Sequence, residues 1–459
     1  MMNDKKAILR DPLRFAMTAQ LDAKGKAVLL AGVMAVYGAI ILKLGAAMQG
    51  APVIAAIGML CAALLTAFAW YALRDEQQPV IVLLCMAGMA MIAVGAHLVM
   101  LDIKPGRFTK VLEPMLYDMW NYGLLTGMAW EEGAWSGVYL IVMALVSYLE
   151  NFSQLYALKL FDMLCQCLAA GAVLKLALLR GSRPYGAIAG MLACVLAPTM
   201  LFNAGVWAQC DATFAMFTLW GLYLLLKDRP LSGCVLWGIA LGTKLQSAFL
   251  FPLLIVLFMK NRVQLRHVLA LAAAAFLCQI AIVLDGQGLW ALISRYAMQL
   301  EEARWGTVGL SDCAPGVYGL MKVASVREFS GMGLYFGIAC ALLVVLALIR
   351  SRKVLTHDAL LLAALLLACG LPLVLPQMNA RCLYLAGMLA FACAGNARRL
   401  LVAVLLEIIS LCCYMQSIFN HTVIPMMVLS LAAIAAATIV LLELLPLICT
   451  RETEKELEA

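Results

Sequence analysis

Five ionisable side chains fall inside or at the ends of strongly apolar runs: Lys159, Asp162, Asp211, Lys244 and Arg381. In hydrocarbon such a group costs roughly 3 kcal/mol or more unless it is paired or reached by water, so each is a candidate for chemistry. Lysine and arginine pair readily with phosphate oxygens, arginine through two parallel hydrogen bonds. If the runs that carry them are neighbours, Lys244 and Arg381 would floor an outward-opening cavity edged by Asp211. Such a cavity suits an anionic lipid headgroup. The plainer reading of the same residues is an ion pair between Asp211 and Lys244 that only holds helices together, with Arg381 reaching for the interface.

The elements that must position these residues follow from composition. Of 459 residues, 65% are hydrophobic and 13% charged, with a mean hydropathy of +0.96. Soluble domains carry about 45–50% apolar and about 25% charged residues, so a water-soluble enzyme is excluded. The net charge of +7 is scattered through short loops, a pattern that sets membrane orientation and does not indicate nucleic acid. Most of the 16 cysteines lie in apolar stretches, and Cys165/Cys167 and Cys412/Cys413 lack zinc-ligand spacing. With only four histidines, neither a metal site nor a cofactor is expected. Lys5, Lys6, Arg10, Arg14, Lys24 and Lys26 precede the first apolar run, which reads as a retained cytoplasmic tail over 1–26.

Apolar runs of about 17–25 residues predict about fourteen membrane spans in an all-α bundle. Three fall near 27–47, 52–73 and 79–101, and an external loop spans 102–154. The apolar stretch 136–149 reads as an interfacial helix within that loop, because a crossing there would put Arg180 and Arg183 outside. A core follows, with spans near 155–179, 184–203, 211–227, 231–247, 248–260 and 265–284. The pair 231–247 and 248–260 is short, which predicts helices broken between Lys244 and Pro252. A second external loop occupies 285–330 and holds Glu301, Glu302, Arg304 and Asp312. Spans near 331–350, 357–376, 380–396, 399–418 and 423–446 complete the bundle, before a charged cytoplasmic tail at 451–459. Both termini are then cytoplasmic in a multi-pass cell-membrane protein.

The stretch Asn203-Ala-Gly-Val-Trp207-Ala-Gln209-Cys-Asp211 has a recognisable continuation. It runs through Tyr223-Leu-Leu-Leu-Lys227 and Leu231-Ser-Gly233 to Gly238-Ile-Ala-Leu-Gly-Thr-Lys244-Leu-Gln246 and Pro252. This resembles the core of bacterial multi-spanning mannosyltransferase-like proteins of the GT-C superfamily, whose pattern is close to N-S-A-V-W-G-Q-C-D, then a Gly-rich helix ending in F-K-L-Q, then Pro. The match covers roughly fifty residues in content and spacing. A family segment L-P-x-M-H-E-R-Y-x-Y reads here Leu375-Pro376-Gln377-Met378-Asn379-Ala380-Arg381-Cys382-Leu383-Tyr384, with His and Glu replaced by Asn379 and Ala380. The first external loop of the family opens S-G-D-Y and then P-W. This chain reads Pro105-Gly106-Arg107-Phe108 and Pro114-Met115, so Arg107 stands where the acid should be. The family's Y-N-P-P-Y segment corresponds to Glu131-Glu132-Gly133-Ala134-Trp135 or nearby, without prolines.

The resemblance implies a GT-C-like fold and transfer of a hexose such as mannose from a polyprenyl-phosphate donor to an extracytoplasmic glycan or lipid acceptor. Lys244 and Arg381 would hold the donor phosphate and Asp211 would orient the sugar or a partner cation. Gln209 and Gln246 would bond hydroxyls, and Asn379, Arg107 and Lys159 are further substrate contacts. A carboxylate must take the acceptor's proton. Arginine cannot serve as that base, which leaves Asp102 or Glu113, with Asp118 close behind. Two other readings stay open. A degenerate relative could bind a lipid-linked glycan as a scaffold. A lipid or glycan transporter could use the broken 231–260 region.

Overall fold

A computed structural model describes residues 22–74, 79–123, 137–280, 290, 293–294, 296–297, 311–321 and 326–449. Glu131, Glu132, Glu301, Glu302, Arg304 and both termini lie outside the described residues. Among the described residues the chain is almost entirely helical. The exception is a two-residue parallel pair, Ser311–Asp312 (β1) with Met378–Asn379 (β2).

The first segment gives α1 (Ala23–Leu44), α2 (Ala51–Ala72) and α3 (Val80–Leu98), packed side by side. A π-helical turn at Phe108–Leu112 leads into α4 (Glu113–Tyr122), and α5 (Gly137–Ser147) lies against it. The centre is α6 (Gln154–Leu179), capped by the Ser153 hydroxyl, which accepts from the Tyr156 amide. It packs against α2, α7 (Pro184–Leu196), which is the first half of a bent pair completed by α8 (Pro198–Leu201), α9 (Asp211–Leu226) and, later in the chain, α15 (Tyr384–Cys393). At 26 residues and about 1.5 Å per residue, α6 is about 39 Å long and reaches both ends of the bundle. Next come α10 (Pro230–Leu241), a 3-10 turn at Leu245–Leu250, α11 (Pro252–Met259) and α12 (Leu265–Leu277). The last quarter supplies α13 (Val326–Arg350), α14 (His357–Val374), α15, α16 (Ala397–Phe419) and α17 (Met426–Ile448).

Among the described residues, eight helices are long and apolar enough to cross a membrane: α1, α2, α3, α6, α13, α14, α16 and α17. The bent pair α7–α8, with its extension to Val206, makes a ninth if it is one span. The remaining expected spans, near 211–227, 231–247, 248–260, 265–284 and 380–396, are helices too. They are shorter than the roughly 20 residues a straight crossing requires. The breaks are local and physical. Pro198 has no N–H to offer the Cys194 carbonyl, which instead accepts from Gln166 Nε2 at 3.3 Å. The helix bends there by 43°. Gln166 Oε1 in turn pairs with His97 Nε2 at 3.1 Å, so a polar trio satisfies the break inside the bundle. The Glu407 carboxylate accepts from the Thr199 hydroxyl and caps the half-helix that follows.

The hairpin α9–α10 depends on two facing glycines. A Cβ added at Gly221 would stand 3.0 Å from the Gly233 carbonyl oxygen, and one at Gly233 would stand 2.9 Å from that of Gly221. Small residues allow this close approach of backbones. The Trp237 indole then donates to the Thr218 carbonyl at 2.9 Å. Because the hairpin is antiparallel, Asp211 at the start of α9 and Lys244 just past α10 share one end.

The other end carries a charge network. Arg399 donates to both oxygens of Asp358, at 2.7 and 2.9 Å, and to Glu443 at 3.0 Å. Arg180 reaches Asp358 at 3.5 Å and the Ala392 carbonyl at 2.9 Å. This joins the C-terminal ends of α6, α15 and α17 to the N-terminal ends of α14 and α16. The Arg399 side chain is 11% exposed, so its removal strands two poorly hydrated carboxylates. Arg399→Ala is expected to destabilise the bundle by about 2–4 kcal/mol, read as a lowered unfolding temperature in detergent. An unchanged midpoint would show that the network contributes nothing to stability.

Candidate functional site

The site is built where α9 begins, α10 ends and α15 begins. Asp211 sits in the first turn of α9, where the exposed amides of a helix start favour a carboxylate. It is 0% exposed and forms ion pairs with Lys244 Nζ and, at 3.5 Å, with Arg381 Nη1. Asn203 Nδ2 donates at 2.7 Å to Oδ2, the oxygen that Arg381 also approaches. Lys244 is held in extended backbone between α10 and the 3-10 turn, so its side chain leaves the broken span and turns to Asp211. Arg381 enters from the loop before α15, where its own amide donates to Asn379 Oδ1 at 3.1 Å. Its guanidinium donates to Gln209 Oε1 and lies over the Trp207 ring, 5.1 Å from the centroid.

One carboxylate therefore balances two cations, with side chains that remain 17% (Lys244) and 11% (Arg381) exposed. That leaves a positive charge in excess in a weakly hydrated place. Asp211 is itself fully buried, while the side chains of the two cations it holds keep some exposure.

A second apolar cluster lies next to Asp211. Phe108, Leu112, Met115, Leu116 and Met119 of the first loop pack with Tyr139, Leu140 and Met143 of α5. The cluster closes on Leu155 and Leu158 of α6 and on Ala208 and Cys210, which flank the site loop. The loop helices thus sit as a roof beside the start of α9.

Two residues in the site loops hold left-handed backbone without being glycine, Ala208 at φ 52° and Gln377 at φ 60°. The first precedes Gln209 and the second precedes Met378 of β2. Strain of this kind costs about 1 kcal/mol or more per residue and persists where packing dictates it. At Ala208 the pattern of the resembled family has glycine, the residue that tolerates this conformation.

The other candidates from the sequence occupy different surroundings. The three N–H donors of Lys159 go to the carbonyls of Met100, Leu101 and Ile103, at 2.7, 3.0 and 2.6 Å, so it caps the chain leaving α3. Asp102 is exposed and accepts from the Tyr156 hydroxyl. Glu113 is paired with Lys104 at 3.0 Å on an open surface. Arg107 is half-buried beside α5, within electrostatic range of Tyr139. Gln246 points its Oε1 into the protein without a hydrogen-bond partner. Asn379 orders the Arg381 loop through its carbonyl oxygen and pairs through its backbone with Asp312.

Tyr156, Lys159 and Asp162 recur every three residues on α6, so the residue that meets Asp102 and the one that faces Asp211 stand about 9 Å apart along the helix axis. Three contributors had no assigned role from sequence. Asn203 stands at the head of the quoted motif, a signal that was available. Tyr414 accepts from Asn203 Nδ2 at 3.0 Å and meets the Trp207 ring edge-to-face at 5.3 Å, and nothing in its apolar helix marks it. Asp162, on α6, is almost completely buried.

No protein-family model matches this chain, and no curated protein matches it. Among the described residues no group of three or more His, Cys, Asp or Glu could hold a metal ion. The fold and the charged cluster define a helical protein of membrane-spanning type with a paired cation site at one end.

Two stability outcomes follow. Asp211→Ala leaves two buried cations facing each other and is expected to destabilise by about 3–5 kcal/mol, whereas Ala208→Gly should relieve the left-handed backbone and stabilise by up to about 1 kcal/mol. Thermal unfolding in detergent measures both. Loss of stability in Ala208→Gly would show that packing of the methyl group outweighs the strain.

Proposed function

We propose that this protein is a membrane-embedded, GT-C-like glycosyltransferase, crossing the bilayer about fourteen times. It would transfer a hexose from a polyprenyl-phosphate donor to an extracytoplasmic glycan or lipid acceptor. The observation that carries the reading is the pair of cations, Lys244 and Arg381, on the single buried carboxylate of Asp211. Excess positive charge with little water around it favours a singly charged phosphodiester, and the arginine fork suits its oxygens. The motif Asn203 to Asp211 and its continuation to Pro252 support the superfamily, and the basic end around Arg180, Arg262 and Arg399 supports a cytoplasmic face opposite the site.

In the reaction, an acceptor hydroxyl oxygen bonds to the anomeric carbon as the bond from that carbon to the phosphate oxygen breaks. The leaving lipid phosphate takes the electron pair and is stabilised by Lys244 and Arg381. The hydroxyl proton passes to a carboxylate, for which Asp102 or Glu113 is the reading from the loop. Gln209, engaged by Arg381, and Gln246, with an open carbonyl oxygen, are the side chains suited to sugar hydroxyls. Lys159, Arg107 and Asn379 then serve to shape the surroundings.

A second reading, binding of a lipid-linked glycan without turnover, is favoured by specific observations. Arg107 stands at the loop position where the resembled family has an acid. Asp102 and Glu113 are already engaged by Tyr156 and Lys104.

The deciding measurement is transfer of labelled hexose from polyprenyl-phosphate hexose by purified protein beside Asp102→Ala, Glu113→Ala, Lys244→Ala and Arg381→Ala. An enzyme gives turnover by the parent, a loss of about 100-fold or more in the variant lacking the base, and weakened donor binding in both cation variants. Saturable donor binding without turnover, weakened by Arg381→Ala, selects the binder. Absence of both would overturn the lipid-phosphate reading altogether.

A further inference from the structure

Asp162 is left without a partner. It lies on α6, one turn beyond Lys159, and is 1% exposed. Among the described residues neither of its carboxylate oxygens has a hydrogen-bond partner. The charged group within its electrostatic range is Asp211, a second carboxylate. Lys159 does not compensate it, because that ammonium is turned to the carbonyls at the end of α3. A buried carboxylate facing a like charge, with no cation and no donor, is among the costliest arrangements an apolar interior can hold. Such a position demands positive charge from outside the chain.

The surroundings are those of a site for a small cation. Asn203 Oδ1 and the Tyr384 hydroxyl are also buried without hydrogen-bond partners. Asn203 already touches Asp211 through its amide nitrogen. The Tyr384 hydroxyl is within electrostatic range of both Asp162 and Asp211. The carboxylate oxygens and Asn203 Oδ1 are acceptors and the Tyr384 hydroxyl can accept as well as donate, a set that suits a proton or a hard cation and not an anion. Among the described residues, the titratable groups that face Asp162 are Asp211 from α9, Cys210 from the loop before it, Tyr139 from α5, Tyr384 from α15 and Cys165 on α6 itself.

We propose that Asp162 is a cation-binding carboxylate, loaded with a proton or an alkali-metal ion, and that its occupancy controls how tightly Lys244 and Arg381 hold a lipid phosphate. The second half rests on the lipid-phosphate reading above and is independent of sugar transfer. With Asp162 ionised and empty, the charges of Asp162, Asp211, Lys244 and Arg381 cancel. With Asp162 loaded, the cluster carries one net positive charge and attracts an anion. The two ligands therefore favour each other, and the coupling is reciprocal.

The test uses the full chain in detergent and a dialkyl phosphate as probe, because the single charge of a phosphodiester does not change between mildly acidic and mildly alkaline pH. Binding is measured across that range at constant ionic strength, with sodium, potassium or choline as the only salt cation. If the ligand of Asp162 is a proton, affinity rises about tenfold or more as pH falls, whatever the salt. If it is an alkali-metal ion, affinity rises by a similar factor with sodium or potassium over choline at alkaline pH. Asp162→Asn mimics the loaded state, so it should bind tightly and without dependence on either variable. Asp162→Ser, neutral and smaller, should flatten the profile in the same way. A parent with a flat profile, or variants that follow the parent's profile, overturns the proposal.

A second readout needs no phosphate. The unfolding temperature of the parent should depend on the same cation, as for any ligand of the folded state, and that of Asp162→Asn should not. If the probe fails to bind while this difference is seen, the cation site stands and the lipid-phosphate reading falls. An equal response of parent and variant removes the cation site.

Discussion

Charge buried without water has to be answered by charge or by a full set of hydrogen bonds, and in this protein that requirement is met around Asp211. Its carboxylate draws Lys244 out of the break after α10, Arg381 out of the loop before α15, and Asn203 out of the π-helical turn after α8. Four chain segments are thereby tied at one end of the bundle. Removing the carboxylate would leave two cations facing each other in an apolar interior. The penalty exceeds what the pairs themselves contribute to stability, so the cluster specifies an arrangement more than it strengthens one.

The irregular helices serve the same constraint. A continuous helix through Lys244 would direct its ammonium along the span. The extended backbone at that residue instead lets it reach across to α9. The π-helical turn at Phe202–Val206 and the left-handed Ala208 rotate the chain so that Asn203 and Gln209 both face the cluster. Breaks of this kind free backbone groups that must be satisfied inside the protein. Gln166 answers the carbonyl left open by Pro198, and Glu407 caps the half-helix that follows. Lys159 gives its ammonium to the carbonyls at the end of α3. Several polar residues that look functional in a sequence are thus supports for the shape of the site.

The two ends of the bundle solve the charge problem differently. At the Asp211 end, cations outnumber the single carboxylate in contact with them. At the other end, Asp358 and Glu443 are paired with Arg180 and Arg399, and a third arginine, Arg398, has a side chain 79% exposed, so water answers the extra charge there. One end is a lock. The other keeps unbalanced charge, which is what a charged ligand requires.

The sequence by itself determined the helical, membrane-type character of the chain, because an apolar content of 65% arranged in long continuous runs satisfies its backbone within each run only as helix. It also located the long helices, the break after α10 and the identity of the three central charges. An ionisable residue in an apolar run is conspicuous whatever it touches. Tertiary structure alone decided the partners. Nothing local says that Arg381 meets Gln209, 172 positions away, or that Tyr414 closes on Asn203 across 211. Nothing local distinguishes Lys159, which serves backbone carbonyls, from Lys244, which serves Asp211. The type of a side chain fixes what it can bind, and that much is written along the chain. Which groups stand within reach, and which carboxylate is left with none, depends on how helices distant in sequence pack together.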